Sequence, residues 1–386
     1  MAKSPYFQPE HHLFRQSVRS FMDREVRPYL AQWENDRRIP RDIWRRMGEL
    51  GFLGINYPEA NGGMAADFFY SVVFLEEVAR AGSGGFAAAV GVHEYVSVAH
   101  LHSIGSEDLK QRYLAPAIRG EKIGALAISE PDAGSNVAGL RTTLRREGNH
   151  YVLNGSKTFI TNGVHADFIV VACQAEAGLS LVVVDAPSEG LSRTQLDKMG
   201  WHCSDTAELS FDHVRVPLEN LVGEEGMGFY YIMSSFQLER LIMGIMGVAG
   251  MDLALEETLR YMHEREAFGR PIAKYQALRH RIADVATEIE AARQFTYHTC
   301  WLHGQGEFAV RECSMVKLYV TELGTKVADA CLQMFGGYGY MEAYPLARMY
   351  RDARVGTIAG GTSEIMREII AKLLFEETAY QSSYSQ

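Results

Sequence analysis

Five short segments of this sequence carry residues that could take part in binding or chemistry. Residues 127–136 (AISEPDAGSN) end an apolar run at Ser129 and turn through Pro131 and Gly134. They offer hydroxyls and backbone N–H groups of the kind that cradle an anion, although such a stretch taken alone is more often a plain turn. Residues 157–163 (KTFITNG) set Phe159 two positions from Thr161, on one face of a strand. Residues 265–276 (REAFGRPIAKYQ) close one long helical stretch and open the next, and 333–340 (QMFGGYGY) form a Gly-rich turn. Residues 358–365 (IAGGTSEI) have two glycines for close backbone approach, then Thr362 and Ser363 as helix caps with Glu364 nearby. Each segment is a weak signal; their joint order is a specific one.

The elements that must position these segments fall into three zones. From residue 12 to 119 the apolar spacing is helical, as at Leu13, Phe14, Val18, Phe21 and Met22, with breaks at Pro28, Pro40, Pro58 and Asn61. From 121 to 221 the runs are short and β-like: 151–153, 168–171, 181–184 and 207–216. Asn154-Gly155 reads as a hairpin turn, and about six strands are enough for a small sandwich or barrel. From 227 onward the chain is helical again, with Ile242, Ile245, Val248 and Leu253 along a segment ending near Arg265, two amphipathic stretches at 275–304 and 308–334, and a last helix after GGTSE. The expected domains are 1–120 (helical), 121–225 (β) and 226–386 (helical). The last six residues, Ser/Tyr-rich, are expected to be disordered.

Composition narrows the partners. The 386 residues include 38 Lys and Arg against 48 Asp and Glu, a formal net charge of −10. That balance disfavours a general nucleic-acid binder, which needs clustered cations. A hydrophobic share of 47% excludes wholesale disorder. No apolar run approaches the ~18 residues of a membrane span. The N-terminal MAKSPYFQPEHHLFRQSV has the layout of neither a secretory signal nor a transit peptide, so a cytoplasmic location is expected. Cys173, Cys203, Cys300, Cys313 and Cys331 form no CxxC pair and read as reduced thiols. His93-Glu94 with His100 and His102 is not HExxH and lacks further ligands, so no metal is expected.

The chain resembles the acyl-CoA dehydrogenases from end to end. EPDAGSN resembles the family's EPxAGSD, SKTFITNG its KxWITNG, and REAFGRPI its R-x-x-FG segment. QMFGGYGY resembles its Q-x-x-GG-x-G and GGTSEI its EGTxEI. The resemblance implies a mainly α fold: an N-terminal helical domain, a β-barrel-like middle domain and a C-terminal four-helix bundle, with FAD wedged between barrel and bundle. It further implies an acyl-CoA substrate, an electron-transfer flavoprotein as acceptor, and a homotetramer. In the family reaction the acyl-CoA loses its α-hydrogen as a proton and its β-hydrogen as a hydride to flavin N5, giving a trans-2-enoyl-CoA. An α C–H beside a thioester is a weak acid until its carbonyl is hydrogen-bonded, so a carboxylate base must work with oxyanion-type donors. The resemblance gives those donors as the flavin's ribityl 2′-hydroxyl and the backbone N–H at the position directly before GT.

That position is where most family members carry the base as Glu, and here it is Gly360. A subset, the isovaleryl-CoA and long-chain acyl-CoA dehydrogenases, places its Glu on the long helix that begins the C-terminal domain. Glu239, twenty-six residues before Arg265, matches that subset's spacing. Residues 205–209 (DTAEL) and 223–233 (GEEGMGFYYIM) resemble the long-chain enzymes most. On a helix Glu239 neighbours Ser235, Phe236, Ile242 and Met243, with no Lys or Arg three or four residues away, so its pKa is expected to rise.

By the same transfer, the resemblance assigns the flavin to Leu126, Ile128, Ser129, Gly134, Ser135, Phe159, Ile160, Thr161, Thr362 and Glu364. It assigns Arg265, Phe268, Gln276, Gln333, Gly336 and Gly337 to FAD as well, reaching the pyrophosphate and adenine in a neighbouring subunit. The acyl-CoA falls to Ser135, Tyr230, Gln237, Arg240, Gly360 and Gly361. The family's usual Trp is Phe159 here, and Asn136 replaces its Asp. Two other readings of the fold are a flavin oxidase or monooxygenase and a catalytically silent acyl-CoA-binding relative; Glu239 argues against the silent one. Because Gly360 is small, the region beside the acyl α and β carbons is expected to be roomy, with medium to long straight and branched chains both accepted.

Overall fold

The computed structural model describes residues 4–384. Helices α1 (Pro9–Phe21), α2 (Leu30–Asp36), α3 (Arg41–Glu49), α4 (Phe68–Ala79), α5 (Gly84–Gly91), α6 (Val98–Ile104), α7 (Glu107–Leu109) and α8 (Ala115–Ile118) come first. Strands β1 (Gly124–Ala127), β2 (Thr143–Glu147), β3 (His150–Thr161), β4 (Phe168–Ala175), β5 (Gly178–Asp185), β6 (Leu191–Gln195), β7 (Thr206–Pro217) and β8 (Leu221–Val222) follow. The chain then forms α9 (Gly228–Glu264), α10 (Gln276–Gly304), α11 (Val310–Phe335), α12 (Pro345–Arg354) and α13 (Ser363–Tyr384). Two compact units emerge, one of residues 20–71 and 85–236, the other of 1–19, 72–84 and 237–386. Among the described residues no helix is long and apolar enough to cross a membrane.

The first unit holds the sheet, in the order β6-β7-β3-β2-β4-β5-β8, with β1 added parallel to β4. The near-continuous apolar run of β4 arises because both its faces are buried. Phe168, Val170 and Ala172 pack with Val98, Leu101, Tyr113 and Leu114 of the helical layer. Ile169, Val171 and Cys173 instead join the inward residues of β1, β3, β5 and β7. The hairpin β2–β3 turns at Gly148-Asn149, with Glu147 opposite His150. Asn154-Gly155 is not a turn, contrary to expectation; it lies inside the 12-residue β3, where the pairing with β7 shifts register. Cross-strand pairing with an equally long partner outweighs the local turn preference and turns the pair into a bulge.

In the second unit α9, α10 and α11 carry the bundle. Gly244 and Gly247 let α11 come close: a Cβ at 247 would lie 2.6 Å from Val320 Cγ1, and one at 244 would collide with Val316. Arg293 on α10 grips Asp252 on α9 through two bonds of 2.6 Å. The early segments of the chain belong here because Arg15 and Arg19 bind the buried Glu77 of α4, and Tyr297 donates to Glu76. Burial pushes the Glu77 pKa up, but the two arginines outweigh it and hold the carboxylate below its usual range. Helix α12, with Pro345 at its first turn, has no counterpart in the sequence reading. Helix α13 runs through Tyr384 into the tail expected to be disordered; residues 385 and 386 lie outside the described residues.

A buried ion pair fastens the loop after β1 to β3. Lys157, fully buried, donates to Glu130 Oε1 at 2.8 Å and to the Ile128 carbonyl at 2.9 Å. Glu130 also accepts the N–H groups of Arg141 at 2.7 Å and Thr142 at 2.9 Å. Burial raises the Glu130 pKa, but Lys157 and these amides bring it below the ordinary value. Lys157→Met leaves Glu130 without its counter-ion, and the expected loss of stability in urea unfolding is about 3–5 kcal/mol. A loss under about 1 kcal/mol would mean that the backbone amides hold the loop unaided.

Candidate active site

Glu239 lies on a stretch of α9 whose neighbours Leu241, Ile242 and Ile245 are buried. Its side chain is half-buried, and Oε1 is sealed from solvent with no hydrogen-bond partner. Among the described residues it makes no ion pair. Arg240 is buried and donates instead to Gln237 Oε1 at 3.3 Å and Ser314 Oγ at 3.4 Å. Removal from water outweighs the pull of Arg240, and the Glu239 pKa is pushed up to about 7. A carboxylate that titrates near neutrality and has an oxygen uncommitted to the protein is suited to accept a proton from a weak carbon acid.

The turn before α13 approaches the same part of α9. Gly360 and Gly361 have φ of 64° and 92°, left-handed values that suit glycine. A Cβ at Gly360 would lie 2.7 Å from Met243 Sδ, and Met243 is one helical turn from Glu239. The flexible Met243 thioether therefore lies beside Gly360, where the sequence leads one to expect open room. The N–H of Gly360 donates to no acceptor among the described residues. Thr362 Oγ1 accepts from the N–H of Ile365 at 3.3 Å and caps α13, whereas Ser363, expected as a second cap, is buried with Oγ unpartnered. Glu364 is exposed, and the amide at the helix start, with Thr362, holds its carboxylate below the usual range. Gly361 is held through its carbonyl by Nζ of the buried Lys317.

Just past the end of α9 a cavity of about 680 Å³ is lined by Tyr261, Arg265, Gln333, Gly336, Gly337 and Tyr338, among others. The Arg265 guanidinium stands 5.6 Å from the centre of the Tyr338 ring. Among the described residues no carboxylate pairs with it, neither Glu264 nor Glu266. A side chain at 336 or 337 would meet nothing within 4 Å, so the backbone there is bare. A guanidinium without a counter-ion beside bare backbone fits a phosphate-bearing ligand such as the pyrophosphate of FAD. Gln276 and Phe268, expected in the same set, are not among the lining residues; Phe268 is 97% exposed beside Tyr275.

In the sheet unit, the pairing of β3 with β7 shifts register again between Lys157 and Ile160. Phe159 sits in that bulge with φ 62° and a side chain that is 72% exposed. An aromatic residue in the left-handed region is strained, and here the strain turns a flat ring outward. Such a ring fits the flavin of FAD as a cover. The Thr158 N–H donates to the Ser129 carbonyl at 2.9 Å, tying the loop after β1 to this strand. Thr161 is half-buried, and Leu126 and Ile128 are partly buried against the helical layer. Gly134 and Ser135 are exposed. Ile160 points into the sheet core, so only its backbone can serve a ligand. Tyr230, in the first turn of α9, is exposed, while Gln237 is buried.

Three buried charged residues that tie these segments together, Glu130, Lys157 and Lys317, were given no individual role by the sequence reading. Each is a charge set in an otherwise apolar or small-residue run, which was the available signal. His93 and Glu94 prove structural, with His93 Nδ1 accepting the Gly124 N–H at 3.1 Å and Glu94 accepting that of Gly54 at 2.8 Å.

Models of the acyl-CoA dehydrogenase N-terminal, middle and C-terminal domains match residues 8–121, 125–214 and 226–375. The chain is 38% identical to the long-chain specific acyl-CoA dehydrogenase of Sus scrofa mitochondria, covering 95% of this chain and 86% of that one. It is 37% identical to the mitochondrial isovaleryl-CoA dehydrogenase of Pongo abelii, over 94% and 88%. The crystal structure of an acyl-CoA dehydrogenase from Geobacillus kaustophilus superposes with a TM-score of 0.94 at 42% identity, covering 96% of this chain and all of that one. With its sequence matched from the first helices to the last and a carboxylate, a phosphate-type cavity and an exposed ring in place, this chain belongs to the acyl-CoA dehydrogenases, FAD-dependent oxidoreductases.

Proposed function

We propose that the protein oxidises a medium- to long-chain or branched acyl-CoA to the trans-2-enoyl-CoA, with Glu239 as the base that removes the α-proton. One observation carries this reading. The unpartnered Glu239 carboxylate stands one helical turn from Met243, whose sulfur fills the place of a side chain at 360. The common and the displaced base positions of the family therefore converge on one short stretch of α9. Bound FAD supplies the acceptor for the β-hydride. The protein's own part is to bring the acyl α carbon to Glu239, to accept its proton on the carboxylate, and to hydrogen-bond the thioester carbonyl through the free N–H of Gly360. Phe159 covers the flat ring, and Leu126, Ile128, Ser129, Gly134, Thr161, Thr362 and Glu364 are the other residues read as binding the flavin. Ser135, Tyr230, Gln237 and Arg240 serve the acyl-CoA. Arg265 with Gln333, Gly336 and Gly337 holds the pyrophosphate of a neighbouring subunit's FAD in a homotetramer. The working domains are 1–120, 121–225 and 226–386, the acceptor is an electron-transfer flavoprotein, and the location is cytoplasmic, in keeping with five free, buried cysteines.

The direct test is anaerobic mixing with a panel of acyl-CoAs, read as bleaching of the flavin. Glu239→Gln should retain FAD and slow bleaching by about 10²–10⁴-fold, and near-normal bleaching would remove Glu239 from the role. In the wild type, kcat/KM should rise with pH through about 7, as the carboxylate forms. Stability runs the other way. Because the folded-state pKa is raised, the folded protein binds the proton more tightly, and stability falls as pH rises from the unfolded carboxylate value toward 7. Glu239→Gln should therefore be stabilised above pH 7, by about 1–3 kcal/mol in urea unfolding.

Two further outcomes follow from the cavity and the turn. Arg265→Ala should purify with depleted flavin and weakened assembly together; a fully yellow, normally assembled variant would reduce Arg265 to a surface residue worth ~0–1 kcal/mol. Met243→Ala should raise kcat/KM for a 3-methyl-branched acyl-CoA relative to its straight-chain counterpart by about tenfold, the worth of one methylene. An unchanged ratio would show that the Met243 thioether does not limit branching.

A further inference from the structure

The turn that carries Gly360 has an anchor that the chemistry above leaves unused. Lys317 is fully buried on α11 and donates from Nζ to the Gly361 carbonyl. Among the described residues that is its one side-chain hydrogen bond, and it makes no ion pair. Burial, with Arg240 nearby, pushes its pKa down to about 8. An ammonium buried for a single carbonyl is unfavourable for folding, and methionine would fill the same volume without the charge. What the lysine adds is a fixed direction for one peptide in a Gly-Gly turn that has few other restraints.

Helix α11 also reaches the base helix. Val316 and Val320 seat against Gly244 and Gly247 of α9, about one and two turns beyond Glu239. The residues that follow each valine face the turn instead. Lys317 binds Gly361, and Thr321 lies against Gly356, where a Cβ would meet it at 3.2 Å. The Thr321 hydroxyl donates to the Lys317 carbonyl at 2.8 Å, linking the two. One helix therefore holds both the carrier of Glu239 and the carrier of the Gly360 amide.

We infer that Lys317 is a positioning residue: it locks the Gly360–Gly361 turn onto α11 and so fixes the free Gly360 N–H relative to Glu239. The inference rests on the reading of Glu239 as base and Gly360 as donor. It is tested with Lys317→Met by amide hydrogen exchange on the purified full-length protein and by anaerobic flavin reduction with an acyl-CoA. Amides of residues 358–363 should exchange about tenfold faster or more, with α9 unchanged. The saturating reduction rate should fall about tenfold or more while the half-saturating concentration moves less than about threefold, since a small misplacement acts on the chemical step. Lys317→Arg, which keeps a donor, should return exchange to within about threefold of wild type. If Lys317→Met leaves both the exchange and the saturating rate unchanged, the side chain only fills volume and the inference is overturned. Should that variant not fold, Lys317→Gln, one bond too short to reach the carbonyl, replaces it: faster exchange with a slower saturating rate supports the lock, and no change in either overturns it. A wild-type flavin that no acyl-CoA reduces would overturn the reading of the site, while exchange at 358–363 would still decide whether Lys317 holds the turn.

Discussion

A carboxylate removed from water with no cation and no donor to satisfy Oε1 is an unfavourable thing to fold around, and Glu239 is held in that condition. Ordinary packing would relieve it in one of two ways, by turning the side chain to solvent or by swinging Arg240 onto it. The first is limited by the apolar flanks of α9, where Leu241, Ile242 and Ile245 are buried. In place of the second, Arg240 turns Nη1 toward Gln237 and Ser314. The result is a carboxylate that titrates near neutral pH, held at some cost in stability.

The rest of the bundle keeps that arrangement in place. Close approach at Gly244 and Gly247 fixes α9 on α11, and the Arg293–Asp252 pair fixes it on α10. The turn after α12 is shaped by two left-handed glycines, and a Cβ at 360 would meet the flexible end of Met243. Moving a glutamate to 360 would therefore require an unfavourable backbone conformation for a residue with a Cβ, as well as displacement of the Met243 sulfur. In this chain the small residue at 360 and the sulfur of Met243 pack together. In the sheet unit the Lys157–Glu130 pair and the Phe159 bulge do the corresponding work, presenting a ring from a strand that would otherwise bury it.

Much of this was legible in the residues. The helical, β and helical zones, the long helix ending near Arg265 and the unpaired surroundings of Glu239 all follow from spacing alone. What the sequence hid depends on long-range partners. The assignment of residues 1–19 and 72–84 to the bundle unit rests on Arg15, Arg19, Glu76 and Glu77 meeting across some sixty residues of chain. Asn154-Gly155 read as a turn because local preference was visible and the pairing with β7 was not. The neighbour of Gly360 was hidden for the same reason, since residue size along the chain does not tell which side chain, here Met243, lies beside it. The burial of Lys157 and Lys317 depends on acceptors far along the chain, Glu130 and the Gly361 carbonyl.

The central claim, that Glu239 is a carboxyl group without a partner in the folded protein, can be measured without turnover. Infrared difference spectra of wild type minus Glu239→Gln, recorded against pH, isolate its carboxyl C=O stretch. That band should disappear with a midpoint near pH 7. A midpoint at the ordinary glutamate value of about 4.3 would contradict the account, because it would show a solvated or ion-paired carboxylate.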